Sequence, residues 1–137
     1  MSCNIVPTPN FEGSLKTLAK RYRSMKADFG KFVKDLASDP CQGTDLGGGL
    51  RKIRMAISSK GKGKSAGARV ITYNVLAKEQ DGTVYLLEIY DKSESSTVKM
   101  NVIKEMVMDL NRRNVRKTPL KVVFFRFKPF LILLRQI

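Results

Sequence analysis

The spacing of apolar residues in the first forty residues predicts two amphipathic helices. Apolar residues recur there every three or four positions, which is typical of helices that bury one face. Thr8 and Pro9 supply a start signal for the first helix. The second begins after Ser24 and ends at Asp39-Pro40. The predicted buried positions are Phe11, Leu15, Leu18 and Tyr22 in the first helix, and Met25, Phe29, Phe32, Val33 and Leu36 in the second.

Strand patterns lie on both sides of this helical pair. Residues 3–6 predict a short strand, and residues 50–57, 68–76 and 84–90 predict three longer ones. In the first of the longer strands, Ile53, Met55 and Ile57 alternate with Lys52 and Arg54. Because side chains alternate between the two faces of a strand, one face is predicted to be apolar and the other cationic.

Turns and a third helix complete the pattern. Residues 42–49 close on three glycines and predict a turn, and Asp81-Gly82 is a strong hairpin signal. Ser96-Thr97 predicts the start of a last helix. Its apolar face would contain Met100, Ile103, Met106, Val107 and Leu110.

The predicted fold class is therefore α+β, in the order strand-helix-helix-strand-strand-strand-helix. We expect a small single domain in which a curved antiparallel sheet carries an N-terminal helical hairpin and a C-terminal helix. The domain is predicted to span residues 1–112. Residues 113–137 form an apolar, basic extension that is too short and too charged for a membrane span. An extra strand, an interfacial anchor and an extension with no evolved role are the alternatives, and the last is favoured.

Charge narrows the class of partner. The 137 residues contain 26 Lys and Arg against 12 Asp and Glu, a net charge of +14. Such a balance indicates nucleic acid, an acidic protein or an anionic membrane surface as partner. With no histidine and only Cys3 and Cys41, the sequence predicts neither a metal site nor a disulfide framework. No signal peptide is recognised, so the cytoplasm is the expected location.

A glycine-lysine loop, residues 60–67, lies between two of the predicted strands. Its Gly63-Lys64-Ser65 run is not a P-loop, because Ser58 stands where that motif needs glycine and a strand follows instead of a helix. Two interpretations remain, a mobile basic loop that meets phosphates and a solvated hairpin loop that is merely rich in lysine. Lys52, Arg54, Arg69 and Lys92 favour the first, since a sheet can bring such cations together at one polyanion.

These residues lie in blocks that resemble toxins of the RelE/ParE superfamily, in its RelE/HigB-like branch. The similar blocks are Lys52-Ile53-Arg54, the run from Gly63 to Ile71 and the run from Tyr85 to Glu94, with weaker support from residues 11–24 and 36–43. The resemblance covers about residues 5–110, and the family's fold has the element order predicted above.

The resemblance implies a type II toxin that cleaves mRNA on the translating ribosome, an endoribonuclease (mRNA interferase) that uses no metal or cofactor. It also implies a cognate acidic antitoxin as partner. Carried over by position, Lys52 and Arg54 are the cationic strand pair, Arg69 is the central phosphate-contacting arginine, expected to face solvent, and Lys92 is the basic residue that ends the last strand. Tyr90 joins this predicted catalytic set. The predicted RNA-binding residues are Arg51, Lys60, Lys62 and Lys64.

The residue that transfers protons during RNA cleavage is not identified by the resemblance. RNA is cut without metal when its 2′-OH attacks the adjacent phosphate, which requires a base, an acid and stabilisation of the phosphorane. Arginine suits the stabilisation because its planar fork pairs with two phosphate oxygens. Many relatives use a histidine or a C-terminal tyrosine for proton transfer, and this chain has neither. Lys52, Lys64, Lys92 and Tyr90 are the candidates.

Two alternatives from other functional classes stay open. The ParE branch inhibits DNA gyrase by binding alone, and its members lack a concentrated cationic sheet face. A plain nucleic-acid-binding module is the other, although few aromatic residues lie among the basic ones to stack on bases.

Overall fold

The computed structural model describes residues 3–61, 63–75, 82–94 and 99–114. Within them the chain forms three α-helices and a five-stranded mixed sheet, so the α+β class is confirmed. The elements in chain order are β1 (Cys3–Pro7), α1 (Pro9–Arg21), α2 (Met25–Ser38), β2 (Thr44–Gly47), β3 (Leu50–Met55), β4 (Ala68–Val75), β5 (Gly82–Asp91) and α3 (Met100–Asn114).

The first two helices begin where the sequence predicted, and α2 also ends there, whereas α1 ends one residue before Tyr22. The Thr8 hydroxyl accepts a hydrogen bond from the Phe11 N–H, so Thr8 caps α1. Ser24 precedes α2 but makes no capping bond there, and the helix ends before Asp39. The predicted apolar positions of both helices are buried except Tyr22, which is half-buried. On α3 only Ile103 is fully buried, while the other four predicted positions are partly buried against the core.

The sheet has the strand order β1-β5-β4-β3-β2. The β2–β3, β3–β4 and β4–β5 pairs are antiparallel, but β1 runs parallel to β5. The prediction of a wholly antiparallel sheet is therefore wrong at this edge. Alternation of apolar and polar residues assigns faces to a strand but carries no information about its direction.

A second correction concerns residues 42–49. Part of this predicted turn is the short edge strand β2, and the turn itself is confined to Gly48 and Gly49, both with positive φ. The strand was not predicted because Asp and Gly, the residue types of Asp45 and the neighbouring glycines, are depleted in strands. Gly82 belongs to β5 and not to a turn, and Asp81 lies outside the described residues, as do Ser96 and Thr97.

The core joins the sheet to the helices. Phe11 of α1 and Phe29 of α2 are in contact, with ring centroids 5.7 Å apart and ring planes tilted by 41°. Ile53, Val70 and Ile89 from three adjacent strands are buried with them. Fully burying each such side chain contributes about 1.5–3 kcal/mol. No helix of the described residues combines the length and apolar composition that crossing a membrane requires.

We expect that deleting residues 115–137 leaves the domain folded. Helix α3 continues to Asn114, two residues past the predicted boundary, so this deletion removes none of its residues. The deleted stretch contains apolar runs of the kind that promote aggregation when uncovered. Soluble yield should rise, and circular dichroism should show a cooperative thermal transition like that of the full chain. A lost transition would place the extension in the core.

Candidate nucleic-acid interface

Three neighbouring strands bring Arg54, Arg69 and Tyr90 into one row. Arg54 lies opposite Arg69 in the β3–β4 pair, and Arg69 lies opposite Tyr90 in the β4–β5 pair. Directly opposed residues of antiparallel strands point to the same face. Lys52, two residues from Arg54, shares that face. The sheet thus assembles four of the five residues predicted to be catalytic, and the fifth, Lys92, directly follows β5.

Hydrogen bonds hold the loop between β3 and β4 in a defined conformation. It contains two short 3₁₀ turns, Ser58–Lys60 and Lys64–Ala66, in place of the helix that a P-loop would need. The Asp28 carboxylate of α2 holds the first turn, because it accepts hydrogen bonds from the Ser58 N–H at 2.8 Å and from the Ser58 and Ser24 hydroxyls.

Arg69 holds the second turn. Its guanidinium donates hydrogen bonds to the carbonyl oxygens of Lys64 (3.1 Å), Ser65 (2.9 Å) and Ala68 (3.2 Å). Only 6% of Arg69 is exposed, so the expectation that it faces solvent is wrong. The loop folds back over the arginine, and the carbonyls offset the repulsion between Arg69 and the opposed Arg54.

The last residue of the loop, Gly67, fits only because it has no side chain. A Cβ atom there would lie 2.2 Å from the Met55 carbonyl oxygen. Gly67 also accepts a hydrogen bond from the Lys92 N–H at 3.0 Å, which ties the loop to the end of β5. The loop is therefore fixed at both ends, and the prediction of a mobile loop is not supported for the described part.

Lys60 is committed to a buried ion pair. Its Nζ lies 2.8 Å from Oδ1 of Asp91, whose side chain has no exposed surface, and only 15% of the lysine side chain is exposed. The Tyr22 hydroxyl donates to the other oxygen, Oδ2, and Ser93 donates to Oδ1. Lys60 is thus a loop anchor, and its predicted contact with RNA would require this pairing to break.

The pKa of Asp91 is set by its hydrogen bonds more than by its burial. Burial by itself would raise the pKa of Asp91, but the hydrogen bonds from Lys60, Tyr22 and Ser93 hold that pKa well below its usual value. The hydrogen bond to Asp91, with burial, raises the pKa of Tyr22 in turn. Asp91 is therefore ionised and Tyr22 neutral at neutral pH, the pairing that the geometry requires.

Arg51 is also occupied elsewhere. Its guanidinium donates to the carbonyl oxygens of Gln42 (3.0 Å) and Gly43 (3.1 Å), in the segment that follows α2. Strand alternation places it on the face opposite to Lys52 and Arg54. Its predicted role in binding RNA does not agree with this position.

Four of the residues predicted to be catalytic or to bind RNA carry a charge that can pair with an anion. Among the described residues, no ion pair involves Lys52, Arg54, Lys64 or Lys92. Arg54, Lys64 and Lys92 are exposed, and Lys52 is half-buried. Lys62 lies outside the described residues. Clustered cations without counter-charges repel one another, and an anion bound there would relieve that repulsion.

Tyr90 is half-buried beside these cations. Burial raises the pKa of its phenol, and the positive charge of Arg69 opposes that change only in part. The phenol therefore keeps its proton at neutral pH, which suits a proton donor and not a base.

The anchoring roles of Asp91 and Tyr22 were not predicted from the sequence. Only 2% of Asp91 is exposed. A signal was present, because Asp91 continues the alternation of the buried Leu87 and Ile89 and therefore falls on the core side of β5. In the sequence, Tyr22 was recognisable only as an aromatic residue on the apolar face of the first helix.

No family model matches the sequence. The assignment of function therefore depends on the residues and their geometry.

Proposed function

We propose that this protein is the toxin of a type II toxin–antitoxin module, of the RelE/HigB-like kind, and that it cleaves mRNA on the ribosome. One observation carries the proposal. Lys52, Arg54, Lys64 and Lys92 are free of ion pairs among the described residues. Arg54 belongs to the row with Arg69 and Tyr90, and the three lysines lie on β3, in the loop and directly after β5. A scissile phosphate at this row would meet several positive charges and one phenol.

The residues divide the chemistry between them. The 2′-OH of the RNA attacks the adjacent phosphate and forms a 2′,3′-cyclic phosphate, and the bond to the 5′-oxygen of the next nucleotide breaks. Arg54 stabilises the phosphorane, and Arg69 holds the loop that carries Lys64 beside it. Tyr90 protonates the departing 5′-oxygen, in keeping with its raised pKa. The base is one of Lys52, Lys64 and Lys92.

Primer extension on mRNA from cells that express the chain tests the proposal. We expect cuts confined to translated regions, and we expect them to disappear in the double variant Arg54→Ala/Lys92→Ala. The truncated chain without residues 115–137 should give the same cuts as the full chain. Intact mRNA together with stalled replication would overturn the proposal in favour of gyrase inhibition.

The proposed partner is an acidic antitoxin that covers the cationic face. Because the attraction is between opposite charges at a solvated surface, we expect the affinity to fall as salt rises. Titration calorimetry at about 50 mM and 500 mM salt, which span a large change in screening, measures this. An affinity independent of salt would place the antitoxin on an apolar surface elsewhere.

A further inference from the structure

A small cavity lies beside Arg54, the member of the row on β3. It is bounded by α2, by the end of β3 and by the second turn of the loop. Its volume is about 70 Å³, enough for several water molecules or for the edge of one base. Phe32 and Met55 form apolar walls, while Lys31, Asp35, Arg54 and Lys64 line its polar side. Arg54 and Lys64 belong to both the cavity and the proposed cleavage site, so the two are continuous.

Among the described residues, four of the charged side chains around this cavity have no ion-pair partner. Lys31, Arg54 and Lys64 come from three separate elements, and none of the ion pairs of the described residues includes them. Asp35 accepts hydrogen bonds through its backbone carbonyl, and no contact among the described residues uses its carboxylate. The second carboxylate at the cavity, that of Asp28, is occupied by Ser24 and Ser58. Three cations and one carboxylate therefore remain available to a ligand.

A ligand that satisfies this set must carry both negative charge and N–H donors. A nucleotide does, since its phosphate pairs with lysine and arginine and its base edge donates to a carboxylate. A free phosphate would use only the cations and would be repelled by Asp35. An acidic peptide also carries negative charge and backbone N–H donors, and the test below distinguishes it from RNA.

We infer that the cavity is a subsite for the nucleotide next to the scissile phosphate, an inference that rests on the proposed function. Lys31 contacts the phosphate of that nucleotide, and Asp35 accepts a hydrogen bond from the exocyclic amine of its base. Cytosine presents such an amine. Uracil fits less well, because its single Watson–Crick N–H is flanked by two carbonyl oxygens that the carboxylate repels.

Binding of short single-stranded oligocytidylate and oligouridylate, measured by fluorescence anisotropy over a range of salt, tests the subsite. The wild-type chain should bind the cytidine RNA about fivefold more tightly, the effect of roughly one hydrogen bond. Asp35→Ala should abolish this preference. Lys31→Ala should weaken both RNAs about equally and reduce the slope of log affinity against log salt by about 0.7.

Lys34→Ala is the matched control, because Lys34 is exposed on the same helix but does not line the cavity. Equal affinity of the wild-type chain for the two RNAs, no binding to either, or identical behaviour of the Lys31 and Lys34 variants would overturn the subsite. So would a Lys31 effect on an acidic antitoxin without one on RNA. If mRNA is still cut in cells in any of these cases, the proposed function stands and only the subsite fails.

Discussion

Replacing Asp91 by alanine is expected to lower the free energy of unfolding by about 3–5 kcal/mol, the usual cost of removing one partner from a buried ion pair. Asp91 receives hydrogen bonds from Tyr22 at the end of α1, from Lys60 in the loop and from Ser93. Without it, Lys60 would hold an unpaired charge that is only 15% exposed. Urea unfolding followed by circular dichroism measures the loss.

Glu94→Ala supplies the control for this change. Glu94 lies three residues farther along and pairs with Arg21 at the surface, where both side chains are about half exposed. Removing an exposed pair costs about 0–1 kcal/mol. If both variants lost the same stability, the buried cluster would not be the anchor that its geometry indicates.

The same cluster predicts a loss of stability in acid. The folded-state pKa of Asp91 is lowered, so its contribution is complete above the ordinary pKa of 3.8 and is lost as the pH falls from there towards the folded value. The wild-type chain should therefore lose part of its unfolding free energy below about pH 4. Asp91→Asn should show a weaker dependence on pH in that range.

Replacing Arg69 by alanine is expected to reduce mRNA cleavage about a hundredfold, because the loop that positions Lys64 at the proposed cleavage site loses its support. The variant should also lose about 1–3 kcal/mol of stability, because the carbonyls of Lys64 and Ser65 lose their donor and the second turn of the loop is released. The sequence predicted the first effect but not the second, since a solvent-facing arginine would contribute little to the fold. Cleavage in a reconstituted translation system and urea unfolding measure the two.

Arg54→Ala separates contact with RNA from support of the fold. Arg54 lies opposite Arg69 but is exposed, and no hydrogen bond of the described residues involves its side chain. We expect Arg54→Ala to reduce cleavage while it changes the free energy of unfolding by less than about 0.5 kcal/mol.

For the Arg69→Ala prediction, a folded variant that cleaves like the wild-type chain would remove Arg69 from the site altogether.

The sequence alone determined the helices and most of the strands, because burial of one face imposes a period that can be counted. Thr8, the apolar stripes of α1 and α2 and the alternation in β3 all lie as predicted. These features are local, and each depends on residues within a turn or two of one another. The sequence also predicted that a sheet could bring Lys52, Arg54 and Arg69 together, and the strand register places Arg54 opposite Arg69.

Only the tertiary structure decided which cations are committed to the fold and which remain available. Lys60 and Lys64 are four residues apart in similar surroundings, yet Lys60 is paired with Asp91 and Lys64 is exposed. The partners of a charged group lie far away in the sequence, as Tyr22 and Lys60 do from Asp91, and no periodicity records them. The direction of β1 was decided in the same way, since pairing with β5 joins residues about eighty positions apart.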